Sequence, residues 1–493
     1  MLIGFRVAIA LSLIPVAVAV QPPKGAGTLP GKVPAPVSLI SEAENAFGGA
    51  VSENDLKRYV RELVALGPRM GGTPSNEKSA AYLVHYFQKL GLEVTIANDA
   101  PALAHWEDSW RVQLETGDVV ESAHPLGFSP SAPAGTRGTL LFVADLRSAT
   151  PNASWKGRVI YTQGEVSAAY AGIVRSGHLP AAILTSAPNS PTRYMDWSRI
   201  SSLPARADNP IPAFAVSYVD GRSLATAAAQ GRAVLVQLTS TIREVRPRTV
   251  IATLHGQDRE SYYLICAHGD SDSGGPGADD NASGVATVME IARVISQLTN
   301  ERTIPQPRQS IRFVVWGAEY ASARAYIERE GEALVRAKAV SNFDQTGTGA
   351  ERDAIYFESN EVPWNETLLR TFDRVGADYL NRPGFWSEYT TNPSQGGTDS
   401  FAFLPRQYKG RGYTTLQIPS TTVYTAAWDK LGDLTQTPGW ESTGTPDPRN
   451  LKIDYSLYYH SSADTPENTT EREPQNMVRA VKATGIALLR LIW

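Results

Sequence analysis

Apolar residues recur with helical spacing early in the chain. Ala80, Leu83, Val84, Phe87 and Leu90 stand three or four positions apart, which predicts an amphipathic helix with one buried face. Thr73-Pro74 places proline in its first turn, and Gly91 closes it. An earlier helix is expected from Ser52, a good N-cap with Asp55 three residues on. After residue 250 the pattern changes to short continuous apolar runs at 262–267, 311–316 and 339–343. Runs of that kind fill the centre of a sheet covered on both faces. Helical stretches near 282–298, 321–337, 364–380 and 474–492 lie between and after them. The alternation predicts an α/β fold, a central, mostly parallel or mixed twisted sheet with helices on both faces.

Between 135 and 245 the character differs. Short β-like runs at 140–143, 158–161 and 181–184 alternate with small helices, which predicts an inserted β-rich α/β domain. The flanking segments, 46–134 and 246–493, are then the two parts of one main domain. At the start, one positive charge within 1–6 is followed by an apolar stretch at 7–18 and by Ala17-Val18-Ala19. That order predicts a signal peptide over 1–19, cleaved after Ala19, and export to the periplasm or the medium. The stretch is short for a membrane span, so no membrane association is expected after cleavage. Residues 20–45, rich in Pro, Gly and Ala, read as a linker.

Composition narrows the function. The 493 residues are 42% hydrophobic and 19% charged, with formal net charge −4, so no basic field invites nucleic acid. Cys266 is the only cysteine. It lies in an apolar run and reads as a small core residue rather than a nucleophile.

The chemistry-bearing residues cluster at expected strand ends. Ala267-His268-Gly269-Asp270 follows one apolar run, and Gly277-Ala278-Asp279-Asp280-Asn281-Ala282-Ser283-Gly284 opens a helix. Open α/β sheets build their sites at the carboxyl ends of strands. Imidazole and carboxylate placed there suit Zn²⁺, and Asp270 is positioned to orient His268. Glu319 follows the run at 311–316, Asp344 ends the run at 339–343, and His460 falls in Tyr458-Tyr459-His460-Ser461-Ser462-Ala463-Asp464-Thr465. Singly, Asp280 could be a helix N-cap, Asp344 a turn acid, Glu319 a solvated acid and His460 a surface histidine. Together and in order they point to a metal site.

These segments, from about Leu56 to the C-terminus, resemble the M28 family of zinc metallopeptidases, many of them aminopeptidases. The region 135–245 resembles the protease-associated domain often inserted in that family, through Trp155-Lys156-Gly157-Arg158, Ser176-Gly177-His178 and Ile211-Pro212-Ala213. The resemblance implies two zinc ions sharing Asp280. One is completed by His268 and Asp344, the other by His460 and a glutamate. Glu319 matches the base that activates water. The chain departs from the family at Tyr320, where the second metal's glutamate is expected, and the following segment is shortened. One tight zinc and a second, weaker one are therefore expected, and Tyr320→Glu should strengthen the weaker position if the local geometry is ordinary. Asp399 in Gly396-Gly397-Thr398-Asp399-Ser400 matches a family segment that lines the substrate pocket, with Ser400 in place of the usual histidine. The region 404–450, with Trp428 and Trp440, reads as a long loop before His460.

The expected activity is an exported exopeptidase releasing N-terminal residues from peptide or aminoacyl substrates. A carboxypeptidase or dipeptidase of the same family, a single-zinc acyltransferase like glutaminyl cyclase, and a catalytically impaired binding protein remain alternatives. Tyr320 keeps the last two open. The inserted domain is expected to contribute no metal ligand.

Overall fold

The computed structural model describes residues 41–186, 197–198, 200–271, 274–349, 353–359, 363–391, 398–404, 414, 416–425 and 458–493. The expected signal peptide, most of the expected linker, Gly396-Gly397, Trp428 and Trp440 lie outside the described residues. The chain opens on three helices, α1 (Glu42–Ala50), α2 (Glu53–Val64) and α3 (Pro74–Lys89). Each starts at a hydroxyl N-cap: Ser41, Ser52 and Thr73 accept from the backbone N–H three residues on. Helix α1 corrects the reading of 20–45 as linker throughout. Ser41 and Glu44 form a reciprocal capping box and Phe47 is fully buried, so order begins before residue 46.

The strands are β1 (Glu93–Asn98), β2 (Ala102–Leu114), β3 (His124–Pro125), β4 (Ala132–Val143), β5 (Val159–Thr162), β6 (Ala182–Thr185), β7 (Ala213–Ala215), β8 (Ala233–Val245), β9 (Arg248–Leu254), β10 (Asp258–His268), β11 (Gln309–Trp316), β12 (Ala337–Phe343), β13 (Ala354–Ser359), β14 (Glu388–Thr390) and β15 (Ser420–Tyr424). Eight form the main sheet in the order β1-β9-β11-β10-β12-β15-β13-β14. Its centre is parallel: β10 pairs with β11 and β12, and β12 with β15. Strands β1, β9 and β11 pair antiparallel at one side, as β13 and β15 do at the other.

Both faces are covered. Ile265 and Ala267 of β10 join one buried cluster, while Tyr262, Leu264 and Cys266 join another. That is the two-residue period of a strand buried on both sides. The first cluster takes in α1–α3 and two long helices whose ranges follow. The helices after α3 are α4 (Val166–Ser176), α5 (Tyr218–Ala229), α6 (Gly284–Asn300), α7 (Ala321–Glu330), α8 (Glu366–Tyr379) and α9 (Gln475–Ile492). Helices α6 and α9 pack against the sheet through Val285, Met289, Ile295, Met477, Ile486 and their neighbours. Helix α7 lies on the other face through Ala323, Tyr326 and Ile327. The stretch expected as one helix over 321–337 divides, a 3₁₀ turn at Gly331–Arg336 following α7.

A second sheet has the order β2-β8-β4-β5-β6-β7-β3, with α4 and α5 contributing to buried clusters on its opposite faces. Its extent corrects the expected boundary at 135. Strand β2 pairs antiparallel with β8 from Ala102↔Val245 to Leu114↔Val234, and β3 pairs with β7. The charged and aromatic residues of β2, His105-Trp106-Glu107-Asp108 among them, obscure its alternation, so only the pairing shows where it belongs.

Candidate metal centre

Three elements bring the side chains expected as metal ligands to one place. His268 is the last residue of β10, and Asp344 directly follows β12, its parallel neighbour. Asp280 stands in the turn that leads into α6. His268 Nε2 lies 3.3 Å from Asp280 Oδ1 and 3.4 Å from Asp344 Oδ1. The ligand atoms of His268, Asp280 and Asp344 all fall within 4.8 Å of one another. On the other side of Asp280, Oδ2 lies 3.1 Å from His460 Nε2. The four residues expected as ligands are thus brought together, with Asp280 in the middle.

The turn carrying Asp280 is held from several directions. Asp464 Oδ1 and Oδ2 accept the backbone N–H groups of Asp279 and Asp280 at 2.8 and 3.0 Å, and its carbonyl accepts that of Ala278. Asn281 donates to the Phe343 carbonyl and accepts from Gly284 and Gln345 N–H, which ties the turn to the strand end bearing Asp344. Gly284 has to be glycine: a Cβ there would lie 2.3 Å from Asn281 Oδ1 and 2.7 Å from the Phe343 carbonyl. Asp279 accepts from Gly347 N–H and Thr348 Oγ1 and faces away from the ligand group.

Arg69 is fully buried and organises the loop between His268 and Asp280. Its guanidinium donates to the carbonyls of Gly269, Pro276 and Gly277, and its backbone N–H donates to Ser271 Oγ. Burial pulls its pKa down to about 10, opposed by the charges of Asp464, Asp270 and Asp280. Sequence reasoning assigned no role to Arg69, Asn281 or Asp464. Arginine between Gly67-Pro68 and Gly71-Gly72, and aspartate four residues after His460, are the only signals that pointed to them.

Asp270 Oδ1 meets His268 Nδ1 at 3.2 Å and also accepts the backbone N–H of Glu319 at 2.8 Å. One carboxylate oxygen therefore orients both a ligand and the expected base. Solvent reaches Glu319, but its carboxyl stands in a concave acidic cluster. Crowding by protein atoms raises its pKa well above the usual carboxylate range, with His268 opposing and Asp344, Asp399 and Asp280 adding.

Tyr320 has φ +51, and its ring packs against the cluster of Trp316, Tyr326 and Phe403. Its backbone N–H donates to Asp399 Oδ1 at 2.5 Å. Asp399 is itself fully buried, so it supports Tyr320 from beneath. Burial raises the Asp399 pKa to about 7, opposed by His268 and Tyr320 N–H and reinforced by Asp344 and Asp270.

The donor set fits a divalent cation such as zinc, nitrogen and oxygen only. His268 Nε2 and Asp344 Oδ1 are both buried without a hydrogen-bond partner, although buried polar atoms normally have one. Burial would lower the pKa of His268, but Asp344, Asp270 and Asp280 outweigh it and raise it well above the ordinary imidazole value. Burial would raise Asp280, but the neighbouring imidazoles of His268 and His460 hold it below the ordinary carboxylate range. Two imidazoles, His268 and His460, thus face the carboxylates of Asp270, Asp280 and Asp344, a concentration of negative charge that a bound cation would offset.

Residues 249–485 match the family model of Peptidase family M28. The chain is 30% identical over 151 residues to leucine aminopeptidase 2 of Trichophyton equinum, covering 30% of this chain and 29% of that protein; the match thus spans less than a third of the relative's length. It is 24% identical over 361 residues to aminopeptidase YwaD of Bacillus subtilis (strain 168), covering 69% of this chain and 72% of that one. The fold matches the solved structure of a zinc aminopeptidase from Bacillus subtilis with TM-score 0.59 at 17% identity, over 90% of this chain and 95% of that chain.

Proposed function

We propose that the protein is an exported zinc-dependent aminopeptidase. The observation that carries this reading is the convergence of His268, Asp280 and Asp344 within 4.8 Å, with Glu319 tied to the same Asp270 oxygen that orients His268. The relatives named as aminopeptidases support N-terminal release. The signal-like pattern at 1–19 supports export, and among the described residues no helix is long and apolar enough to cross a membrane.

His268, Asp280 and Asp344 would hold the tight zinc, and Asp280 with His460 a weaker second ion. Bound there, zinc supplies polarisation of the scissile carbonyl and a lowered pKa for the attacking water. Glu319 takes the proton from water as the oxygen adds to the carbonyl carbon. It then delivers that proton to the amine nitrogen as the C–N bond breaks. Asp270 keeps His268 in one tautomer and fixes the backbone from which Glu319 reaches. Arg69 and Asp464 hold the loop and turn on either side of Asp280.

A substrate screen on the purified protein tests the reading. Release of the first residue from free-amine peptides and aminoacyl anilides, abolished by a chelator and restored by zinc, is expected. Hydrolysis restricted to C-terminal residues would indicate a carboxypeptidase. Cyclisation of N-terminal glutamine would indicate an acyltransferase, and zinc binding without turnover an impaired binding protein.

A further inference from the structure

The second domain supplies no ligand among the described residues, yet it reaches the metal centre. Ile200 N–H donates to the His460 carbonyl at 2.8 Å, and Ser462 N–H donates to the Ser198 carbonyl at 3.0 Å. Ser198 N–H also donates to Ser462 Oγ at 3.1 Å. Ser198 and Ile200 are thus bonded through the backbone to His460 and Ser462. Beside them, the rings of Trp197 and Tyr458 lie 5.1 Å apart. Ser198 and Ile200 are buried at this seam.

The same segment is rooted in the second domain. Gly127 N–H donates to the Ser201 carbonyl, and Leu203 N–H donates to the Gly127 carbonyl. Ser167 Oγ donates to the Ser202 carbonyl. Gly127 permits this approach, since a Cβ there would lie 2.4 Å from Ser202 Oγ. Backbone bonds thus tie Ser201 and Leu203 to Gly127 beside the second sheet, and Ser198 and Ile200 to the loop of His460.

His460 needs such a partner. Its φ is +48, in the left-handed region that non-glycine residues rarely adopt. A residue persists there when its surroundings over-determine it. Downstream, Asp464 is bonded to the turn of Asp280. Upstream of that anchor, Ile200 N–H grips the His460 carbonyl. We infer that Ser198 and Ile200 of the second domain act as positioning residues for His460, setting its imidazole against Asp280 Oδ2 and so governing the weaker metal position. This rests on the metal reading above. It makes the second domain a determinant of metal content without giving it a ligand.

Zinc titration against a competing chelator, on the full chain, separates the tight from the weaker binding step. His460→Ala should remove the weaker step and leave the tight one. Ile200→Pro deletes the N–H that grips the His460 carbonyl and should weaken the second step by about 10–100-fold, as loss of an orienting partner does. Ile200→Ala keeps that N–H and trims only packing, and it should leave the step within about 3-fold on the same scale. Ser462→Ala, a milder change, should weaken it by a few-fold, on the order of one hydrogen bond. In the Ile200→Pro/His460→Ala double variant no further loss is expected, because both changes act on one interaction. Melting curves and the tight step confirm that each variant is folded, and if Ile200→Pro fails to fold, Ser462→Ala carries the test. A weaker step lost in His460→Ala but unchanged in both Ile200→Pro and Ser462→Ala overturns the positioning role. A weaker step unchanged in His460→Ala overturns the metal role of His460 and the positioning inference with it.

Discussion

The two sides of Asp280 are built differently. Toward Oδ1 stand His268 and Asp344, each at the end of a central parallel strand, buried and braced by Asp270 and Asn281. Toward Oδ2 stands His460, a third of its side chain exposed, on a loop that depends on backbone bonds to a second domain. The strand side offers three candidate ligands, the usual number for catalytic zinc, and the loop side offers two, Asp280 and His460. Where a glutamate would complete the loop side, the Tyr320 ring packs into an apolar cluster. A sheet end makes a rigid half-site because its neighbours are fixed by register, whereas a loop makes one only as rigid as its anchors.

The largest effects should fall on the strand side. His268→Ala and Asp344→Ala should each abolish the tight zinc step and activity, since losing a ligand costs more than the roughly 10–100-fold typical of losing its support. Elemental analysis of the folded variants checks this. Glu319→Gln should lower kcat by about 10²–10⁴-fold, the range of general acid–base catalysis, with the tight zinc retained. Loss of zinc in that variant would make Glu319 a ligand instead of a base.

Arg69→Met probes the brace between the half-sites. It leaves the buried carbonyls of Gly269, Pro276 and Gly277 without their donor. At about 1–3 kcal/mol for each unsatisfied buried group, a loss of at least about 3 kcal/mol in urea unfolding is expected, together with weaker zinc binding. Tyr320→Glu should have a smaller effect, and in the opposite sense from what family pattern alone suggests. The new carboxylate would enter an apolar cluster, so stability should fall by about 1–2 kcal/mol with no gain at the second metal step.

A purely pH-dependent effect lies behind the loop, where Glu107 is buried and a Cβ on Gly274 would lie 3.2 Å from its Oε2. Burial raises the Glu107 pKa from 4.5 to about 8. The unfolded chain loses that proton near 4.5 and the folded one near 8, so the associated stability is full below 4.5 and is lost as pH rises to 8. Glu107→Gln should flatten that decline, read as a Tm advantage over wild type that grows from pH 5 to 8.

Much of the strand side was legible in the sequence, because short apolar runs end directly at His268, Glu319 and Asp344 and because Asp280 opens an amphipathic helix. The supports were not. Arg69, Asn281 and Asp464 act through backbone groups 62 to 208 positions away, and no local pattern marks such a partner. Strand β2 stayed hidden because its exposed and charged positions break the two-residue alternation. Helix α1 was masked by the Pro- and Gly-rich composition around it, although its capping box was present in Ser41 and Glu44. The spacing of residues marked Tyr320 as unusual, but only the packing shows that its ring turns to the apolar cluster.

The most direct test of the unequal half-sites is a zinc titration of the metal-free wild-type protein, combined with elemental analysis of the loaded one. One tight step followed by a clearly weaker second is the predicted result. Two equally tight zinc ions would contradict the account, since the loop side would then hold a ligand that the described residues do not provide.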